Sequence, residues 1–214
     1  MTLTTGYEFT TAATNVFNAA VTALLAWKLI PSIKPKQRRL CWGIVFCLFF
    51  AVCIFGAVIH GIAMEQALKS YLWHYLFTLL AFMLASFVTA LVCETDGLSG
   101  AKRTAAVTHV MAFLFSVLRF VFPTRIKFAQ FSIYAILLLL YAIGKLISAR
   151  KEKPYLNHFL IGIFFLVTGS ILQTIRSIKF HIILDFDYNS VYHLFTLFLI
   201  LCVYKGLKTQ QEAK

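Results

Sequence analysis

Residues 40–64 read LCWGIVFCLFFAVCIFGAVIHGIAM, and this stretch decides the fold class because it contains no Asp, Glu, Lys or Arg. A helix that crosses the hydrocarbon core of a bilayer needs roughly 17 to 25 predominantly apolar residues. An uncharged stretch of this length is therefore typical of a membrane-spanning helix. Similar apolar stretches recur along the rest of the chain.

The overall composition supports the same interpretation. Of the 214 residues, 60% are apolar and 13% are charged, whereas soluble domains have about half and about a quarter. One soluble globule of this length could not bury so much apolar surface. The composition excludes a soluble enzyme, and we find no motif typical of a nucleic-acid-binding protein.

Seven apolar segments are predicted to cross the membrane, and together they form one domain that covers residues 1–214. They span residues 10–30, 40–64, 71–93, 105–122, 131–147, 156–174 and 191–207. Charge clusters or turns that contain Pro or Gly separate these segments. We therefore predict an all-α integral membrane bundle of seven transmembrane helices.

The distribution of basic residues predicts the orientation, because Lys and Arg collect in short loops on the cytoplasmic side. With the N-terminus outside, the inner side carries Lys28, Lys34, Lys36, Arg38, Arg39, Lys102, Arg103, Lys145, Arg150, Lys151, Lys153, Lys205, Lys208 and Lys214. The outer side carries Lys69, Arg119, Arg125, Lys127, Arg176 and Lys179. We predict that the N-terminus lies outside and the C-terminus inside, in the plasma membrane or, in a bacterium, the inner membrane. The net charge of +12 is then a topology signal and an attraction to anionic lipids.

All five cysteines lie in or beside apolar stretches, and none forms a C-x-x-C pair. They are Cys41, Cys47, Cys53, Cys93 and Cys202. We interpret them as packed or lipid-facing thiols, because a disulfide framework belongs to loop-rich secreted domains.

Polar side chains inside a bilayer are costly, so their positions indicate function. In the predicted orientation most of them fall in the outer halves of the helices, where a closed bundle would form a polar pocket that opens outward. They include Asn15, Asn18, His60, His74, Ser116, Arg119, Gln130, Tyr134, Ser170, Gln173, Arg176, Asp185, Asp187, Asn189 and His193.

Three histidines of this set, His60, His74 and His193, are predicted to converge. His60 lies near the end of the second predicted helix, His74 near the start of the third, and His193 near the start of the last. Three imidazoles suit zinc and leave a fourth position for water. A hydrogen-bonded cluster without a metal is the alternative, and the pattern leaves both open.

Two motifs resemble a known family. The stretch FGAVIH ends at His60, and DFDYNSVYHLF spans residues 185–195 before an apolar helix. They resemble the seven-helix superfamily of alkaline ceramidases and progestin/adiponectin receptors, and more closely a group of uncharacterised bacterial members. In the ceramidase-like families, one histidine of helix 2 and a His-x-x-x-His pair of helix 7 hold zinc for amide hydrolysis.

Some functional positions of the resembled family have the same residue in this sequence, and others do not. His60 matches the helix-2 histidine, and His193 matches the second histidine of the pair. Asn189 stands at the first histidine of the pair, and Gly56 stands where the family has a serine. Tyr71 stands where an aspartate of helix 3 is expected. The resemblance therefore implies either that His74 supplies the missing ligand or that the metal site is lost.

Two functions follow as expectations. The first is a zinc-dependent hydrolase of lipid amide or ester bonds, with the three histidines holding the metal. Its catalytic residues would be Asp185 or Asp187 as general base, with Asn189 and Ser170 polarising the substrate carbonyl. The second is a non-catalytic protein that binds membrane lipids or a small molecule, or that conducts a solute, through the same pocket without a metal.

Overall fold

The computed structural model describes residues 2–123 and 128–212. Within them, six helices, α1 to α6, span Gly6–Leu29, Lys36–Gly61, Gln66–Val121, Phe128–Ala149, Leu156–Thr174 and Tyr188–Glu212. Four short strands, β1 to β4, span Thr2–Leu3, Ile62–Ala63, Lys179–His181 and Asp185–Asp187. Strand β1 pairs antiparallel with β2, and β3 pairs antiparallel with β4. The protein is all-helical apart from these two small ladders. Of the predicted topology residues, Arg125, Lys127 and Lys214 lie outside the described residues.

All six helices are long and apolar enough to cross a membrane. Large apolar side chains cover their outer faces, and Val107, Leu140 and Phe164 are 60% to 64% exposed. Polar side chains such as Asn15 and Thr22 are buried instead. An apolar exterior around buried polar groups is compatible with a multi-pass membrane protein.

The described residues form six helices where the sequence predicts seven, because the third and fourth predicted segments both belong to α3. This helix has non-helical backbone at Gly97, where φ is +73° and ψ is −166°. The Ser86 hydroxyl lies 3.1 Å from His109 Nε2, although a straight helix would separate these residues by roughly 35 Å. Helix α3 is therefore a hairpin of two antiparallel arms that reverses at Gly97.

The helices pack mainly on their neighbours in the sequence, and α6 also packs on α1. A ring of helices results, with Trp42 of α2 stacked on Phe159 of α5 in its core at 5.4 Å between ring centroids. The chain reverses between successive helices, so helix termini gather at two ends. We name them the His60 end and the Arg38 end after the buried residues that each contains.

Candidate functional site

At the His60 end, a carboxylate holds the histidine that ends α2. The Glu8 carboxylate of α1 accepts a hydrogen bond from His60 Nδ1 at 2.6 Å and from Lys69 Nζ at 3.3 Å. The edge of the Trp73 ring packs against the imidazole, with 5.5 Å between ring centroids. His60 is therefore buried with a charged partner, which the sequence prediction did not include.

His193, in the first turns of α6, is held by an amide of α1. Asn15 Nδ2 lies 2.9 Å from His193 Nε2 and 3.0 Å from the carbonyl of Thr11. A Cβ at Gly56 of α2 would lie only 3.0 Å from Asn15 Oδ1, so the glycine makes room for the amide. Gly56 precedes His60 by about one turn of α2, so Asn15 brings His193 near His60.

The polar residues of α1 that make these contacts share one face, because they recur every three or four positions. Further along this face, Asn18 Nδ2 donates to the His193 carbonyl at 2.8 Å and to Thr196 Oγ1 at 2.9 Å. The stripe consists of Glu8, Thr11, Asn15, Asn18 and Thr22. This spacing was a signal for Glu8 and Thr11, which the sequence prediction missed.

Asp187 caps the start of α6. Its Oδ1 accepts from the backbone N–H of Ser190 at 2.9 Å and of Asn189 at 3.1 Å, and from Thr11 Oγ1 at 3.1 Å. These are the bonds of a helix N-cap, which satisfies N–H groups that lack partners within the helix. Asn189 Oδ1 accepts from Gln173 Nε2 at 3.0 Å. The geometry gives both residues structural partners.

The two other predicted catalytic residues point elsewhere. Asp185 lies in β4, and its Oδ1 accepts from His181 Nδ1 at 2.9 Å in an exposed pair. The Ser170 hydroxyl donates to the Leu166 carbonyl of its own helix at 2.8 Å. The structure therefore gives Asp185 and Ser170 separate local partners.

The third histidine, His74, contacts the second arm of α3. Its ring packs against Phe120, with 5.8 Å between ring centroids, and it lies near the charge of Arg119. The Arg119 guanidinium stacks over the Phe77 ring at 4.2 Å. The structure brings His60 and His193 near each other and places His74 among these other side chains.

The resemblance implies zinc, and the described side chains do not fit it. Within residues 2–123 and 128–212, no group of three or more His, Cys, Asp or Glu side chains could hold a metal ion. His60 Nδ1 is bonded to Glu8, and His193 Nε2 is bonded to Asn15. Zinc therefore stays a prediction from the sequence.

The Arg38 end contains a buried ion pair that the sequence prediction did not include. Glu94 Oε1 accepts from Arg38 Nε at 2.5 Å and from Trp42 Nε1 at 2.8 Å, and Oε2 accepts from the Tyr155 hydroxyl at 3.1 Å. The two charged side chains are only 6% and 1% exposed. Burial, and then the Glu94 charge, raise the pKa of Tyr155, so its hydroxyl stays protonated and donates. A buried pair of this kind is stable only when its hydrogen bonds are made.

An open cleft of about 510 Å³ lies beside this ion pair. Its walls include Arg38, Cys93, Glu94, Lys153, Tyr155 and Gln210. Lys153 Nζ donates to the carbonyls of Glu94 and Thr95 at 2.8 and 2.9 Å, at the end of the first arm of α3. Two buried atoms of the wall, Arg38 Nη2 and Gln210 Oε1, have no hydrogen-bond partner among the residues that the structure describes. We call this feature the Arg38 cleft.

One sequence signal could have located the cleft. Glu94 is the first acidic residue after the apolar run of residues 76–93. An ionisable residue at the edge of such a run is a functional candidate that needs a partner. The sequence prediction treated Arg38 only as a topology residue.

Comparison with known proteins gives one result. No curated protein and no solved structure matches the chain. A model of the family described as "Family of unknown function (DUF6962)" matches residues 10–212. Since the match covers almost the whole chain, the protein belongs to the DUF6962 family.

Proposed function

We propose that this chain is a multi-pass membrane protein that binds a small anionic ligand in the Arg38 cleft. The observation that carries the proposal is the buried Arg38 guanidinium. Its Nε binds Glu94, while Nη2 has no partner within residues 2–123 and 128–212. A buried donor without a partner costs about 1–3 kcal/mol. A ligand oxygen at Nη2 would remove this cost, so the cleft wall favours an acceptor.

The charges around the cleft favour an anion. Glu94 already accepts three hydrogen bonds, from Arg38, Trp42 and Tyr155, so it has little need of a further cation. Exposed lysine and arginine residues lie at the same end of the bundle as the cleft: Lys34, Lys36, Arg150, Lys151 and Lys205. Glu152 also forms part of the wall, but basic residues outnumber acidic ones at this end of the bundle. An excess of positive charge raises the local concentration of anions.

The size of the cleft fits a small molecule. Ligand sites occupy about 300–1,000 Å³ and contain a few convergent polar groups on otherwise apolar walls. The Arg38 cleft has about 510 Å³, and Leu98 and Pro154 form part of its wall. Arg38 and Gln210 supply polar atoms that a ligand could satisfy.

We further propose that the chain crosses the membrane seven times, with the N-terminus outside and the Arg38 end in the cytoplasm. The two antiparallel arms of α3, in contact at Ser86 and His109, would each make one crossing. The Arg38 end carries most of the basic residues, as cytoplasmic loops do. A cytoplasmic cleft would bind a cytoplasmic anion.

The zinc-dependent hydrolase has less support than this binding function. It needs three metal ligands that converge, and the described side chains offer no such group. It also needs a free carboxylate as general base, whereas Asp187 caps α6.

Thermal unfolding of the purified protein in detergent tests the binding function. Sodium phosphate and sodium acetate are compared with sodium chloride at equal ionic strength. We expect phosphate or acetate to raise the unfolding temperature, because a ligand at 100 times its Kd stabilises by about 2.7 kcal/mol. The combined variant Arg38→Gln and Glu94→Gln should lose this gain, since it removes the guanidinium without leaving Glu94 as an unpaired buried charge.

The matched control is the combined variant Lys208→Gln and Glu212→Gln. It also removes one ion pair at the Arg38 end without changing the net charge, but that pair is exposed and its atoms lie 3.8 Å apart. This variant should respond to the anions as the wild type does. An equal response of the Arg38 variant, or no response of the wild type to either anion, would contradict the proposal.

A further inference from the structure

Two cysteines meet where α2 crosses the first arm of α3. Cys41 directly precedes Trp42, and Cys93 directly precedes Glu94. The bond from Trp42 Nε1 to Glu94 Oε1, 2.8 Å long, fixes this crossing. Cys41 lies between Arg38 and Trp42 on α2, and both of these residues bond Glu94. This geometry places the thiols of Cys41 and Cys93 beside each other at the crossing, where they interact.

This pair differs from the other cysteines in its surroundings. Cys53 is buried and Cys47 is exposed on the apolar surface of α2. Cys41, Cys93 and Cys202 are half-buried, but Cys202 lies on α6, away from the crossing of α2 and α3. Cys93 forms part of the wall of the Arg38 cleft. Small water-borne molecules that enter the cleft can therefore reach Cys93.

We propose that Cys41 and Cys93 form a redox modification site, which a peroxide converts into an intramolecular disulfide. One thiolate attacks a peroxide oxygen, which breaks the O–O bond and gives a sulfenic acid and hydroxide. The second thiol then attacks the sulfenic sulfur, and the S–S bond forms as a second hydroxide leaves. The two thiol protons neutralise the hydroxides. With hydrogen peroxide the balance is two thiols and one peroxide to one disulfide and two waters.

The disulfide is reversible, because a low-molecular-weight thiol reduces it by exchange. With the Arg38 end in the cytoplasm, as proposed above, the resting state is the dithiol. Oxidation would join α2 to α3 one residue away from Trp42 and Glu94. The site thus links the oxidation state of the cell to the wall of the Arg38 cleft.

Thiol counting in purified protein tests this site, and the test does not depend on the orientation or on ligand binding. The triple variant Cys47→Ser, Cys53→Ser and Cys202→Ser retains only Cys41 and Cys93. After hydrogen peroxide treatment, denaturation and maleimide labelling, we expect both thiols to be protected. Digestion without reductant should give one peptide that links Cys41 to Cys93, and dithiothreitol should restore both thiols.

Single replacements and the wild type complete the test. With Cys41→Ser or Cys93→Ser added, the remaining cysteine has no partner and should not appear in a cross-linked peptide. In the wild type, which has all five thiols, mass spectrometry should find the same link, so the result does not depend on the folding of the variant. The proposal would be overturned if Cys41 and Cys93 of the wild type stayed reactive at a peroxide dose that fully oxidises Cys47. A disulfide that forms only between two chains would also overturn it.

Discussion

At the scale of single residues, buried polar side chains of this protein form hydrogen bonds with neighbouring helices, and small residues beside them leave the space that they need. Asn15 illustrates this, because its amide bonds the Thr11 carbonyl and the His193 ring at once. The amide fits only because Gly56 has no side chain at that point. A glycine at this position of α2 is therefore part of the polar cluster of the His60 end.

We predict that Gly56→Ala destabilises the protein by about 1–3 kcal/mol, the usual cost of overpacking a filled interior. The new Cβ would lie 3.0 Å from Asn15 Oδ1 and would displace the amide from His193. The measurement is unfolding in detergent, by heat or by denaturant. In an Asn15→Ala background the same replacement should cost less, since the clashing group is absent.

Gly144→Ala is the control for this prediction. Gly144 lies in α4, and a Cβ there would meet no other atom within 4 Å. Alanine should stabilise a helix interior by roughly 0.5–1 kcal/mol relative to glycine. If both replacements had the same effect, or if the cost at Gly56 were unchanged without Asn15, the packing argument would fail.

The sequence could indicate which residues are buried and polar, but not which pairs they form. His60 and His193 stand out as ionisable residues in apolar stretches, and the structure buries His60 and binds His193 to α1. Their partners Glu8 and Asn15 are set by the rotation of α1 about its axis. That rotation depends on packing against two other helices, which periodicity alone does not define.

At the scale of elements, α3 is the helix whose shape could not be obtained from apolar segments alone. The predicted segments 71–93 and 105–122 both lie in α3, and the mostly polar stretch between them, residues 94–104, reads ETDGLSGAKRT. A turn was expected there, yet the helical backbone continues on both sides of one residue, Gly97. The tight reversal brings Asp96 and Lys145 together in an ion pair and places Glu94 at the cleft.

We predict that replacing Gly97 with Ala costs about 1–3 kcal/mol of stability through backbone strain. With φ at +73° and ψ at −166°, the backbone lies in a region that essentially only glycine adopts. A Cβ there would meet no atom within 4 Å, so side-chain size should not matter. Ala, Ser and Asn should therefore have similar costs in thermal unfolding measurements. A neutral Ala variant, or a rescue by Asn alone, would show that the hairpin uses a different turn.

At the scale of the whole molecule, the two ends of the bundle differ in charge and in packing. The His60 end pairs its polar side chains with one another, whereas the Arg38 end has the cleft and most of the basic residues. The composition sufficed to predict an all-helical protein suited to a membrane. It could not predict the cleft, because the cleft depends on where the connection at Pro154 lies beside the end of α6.

The difference between the ends leads to a prediction about topology. In a variant without the five native cysteines, one cysteine at a time replaces Lys36, Lys102 or Lys179, which are all exposed. A membrane-impermeant maleimide added to intact cells should label Lys179→Cys but neither Lys36→Cys nor Lys102→Cys. The reason is that basic loops are retained on the cytoplasmic side during insertion.

Opening the cells should make all three positions reactive, which controls for accessibility. Lys102 tests the hairpin as well, because it follows the reversal at Gly97 and should lie on the same side as Lys36. Labelling of Lys36→Cys but not Lys179→Cys in intact cells would reverse the orientation and place the Arg38 cleft outside. Labelling of Lys102→Cys together with Lys179→Cys would show that the two arms of α3 do not each cross the membrane.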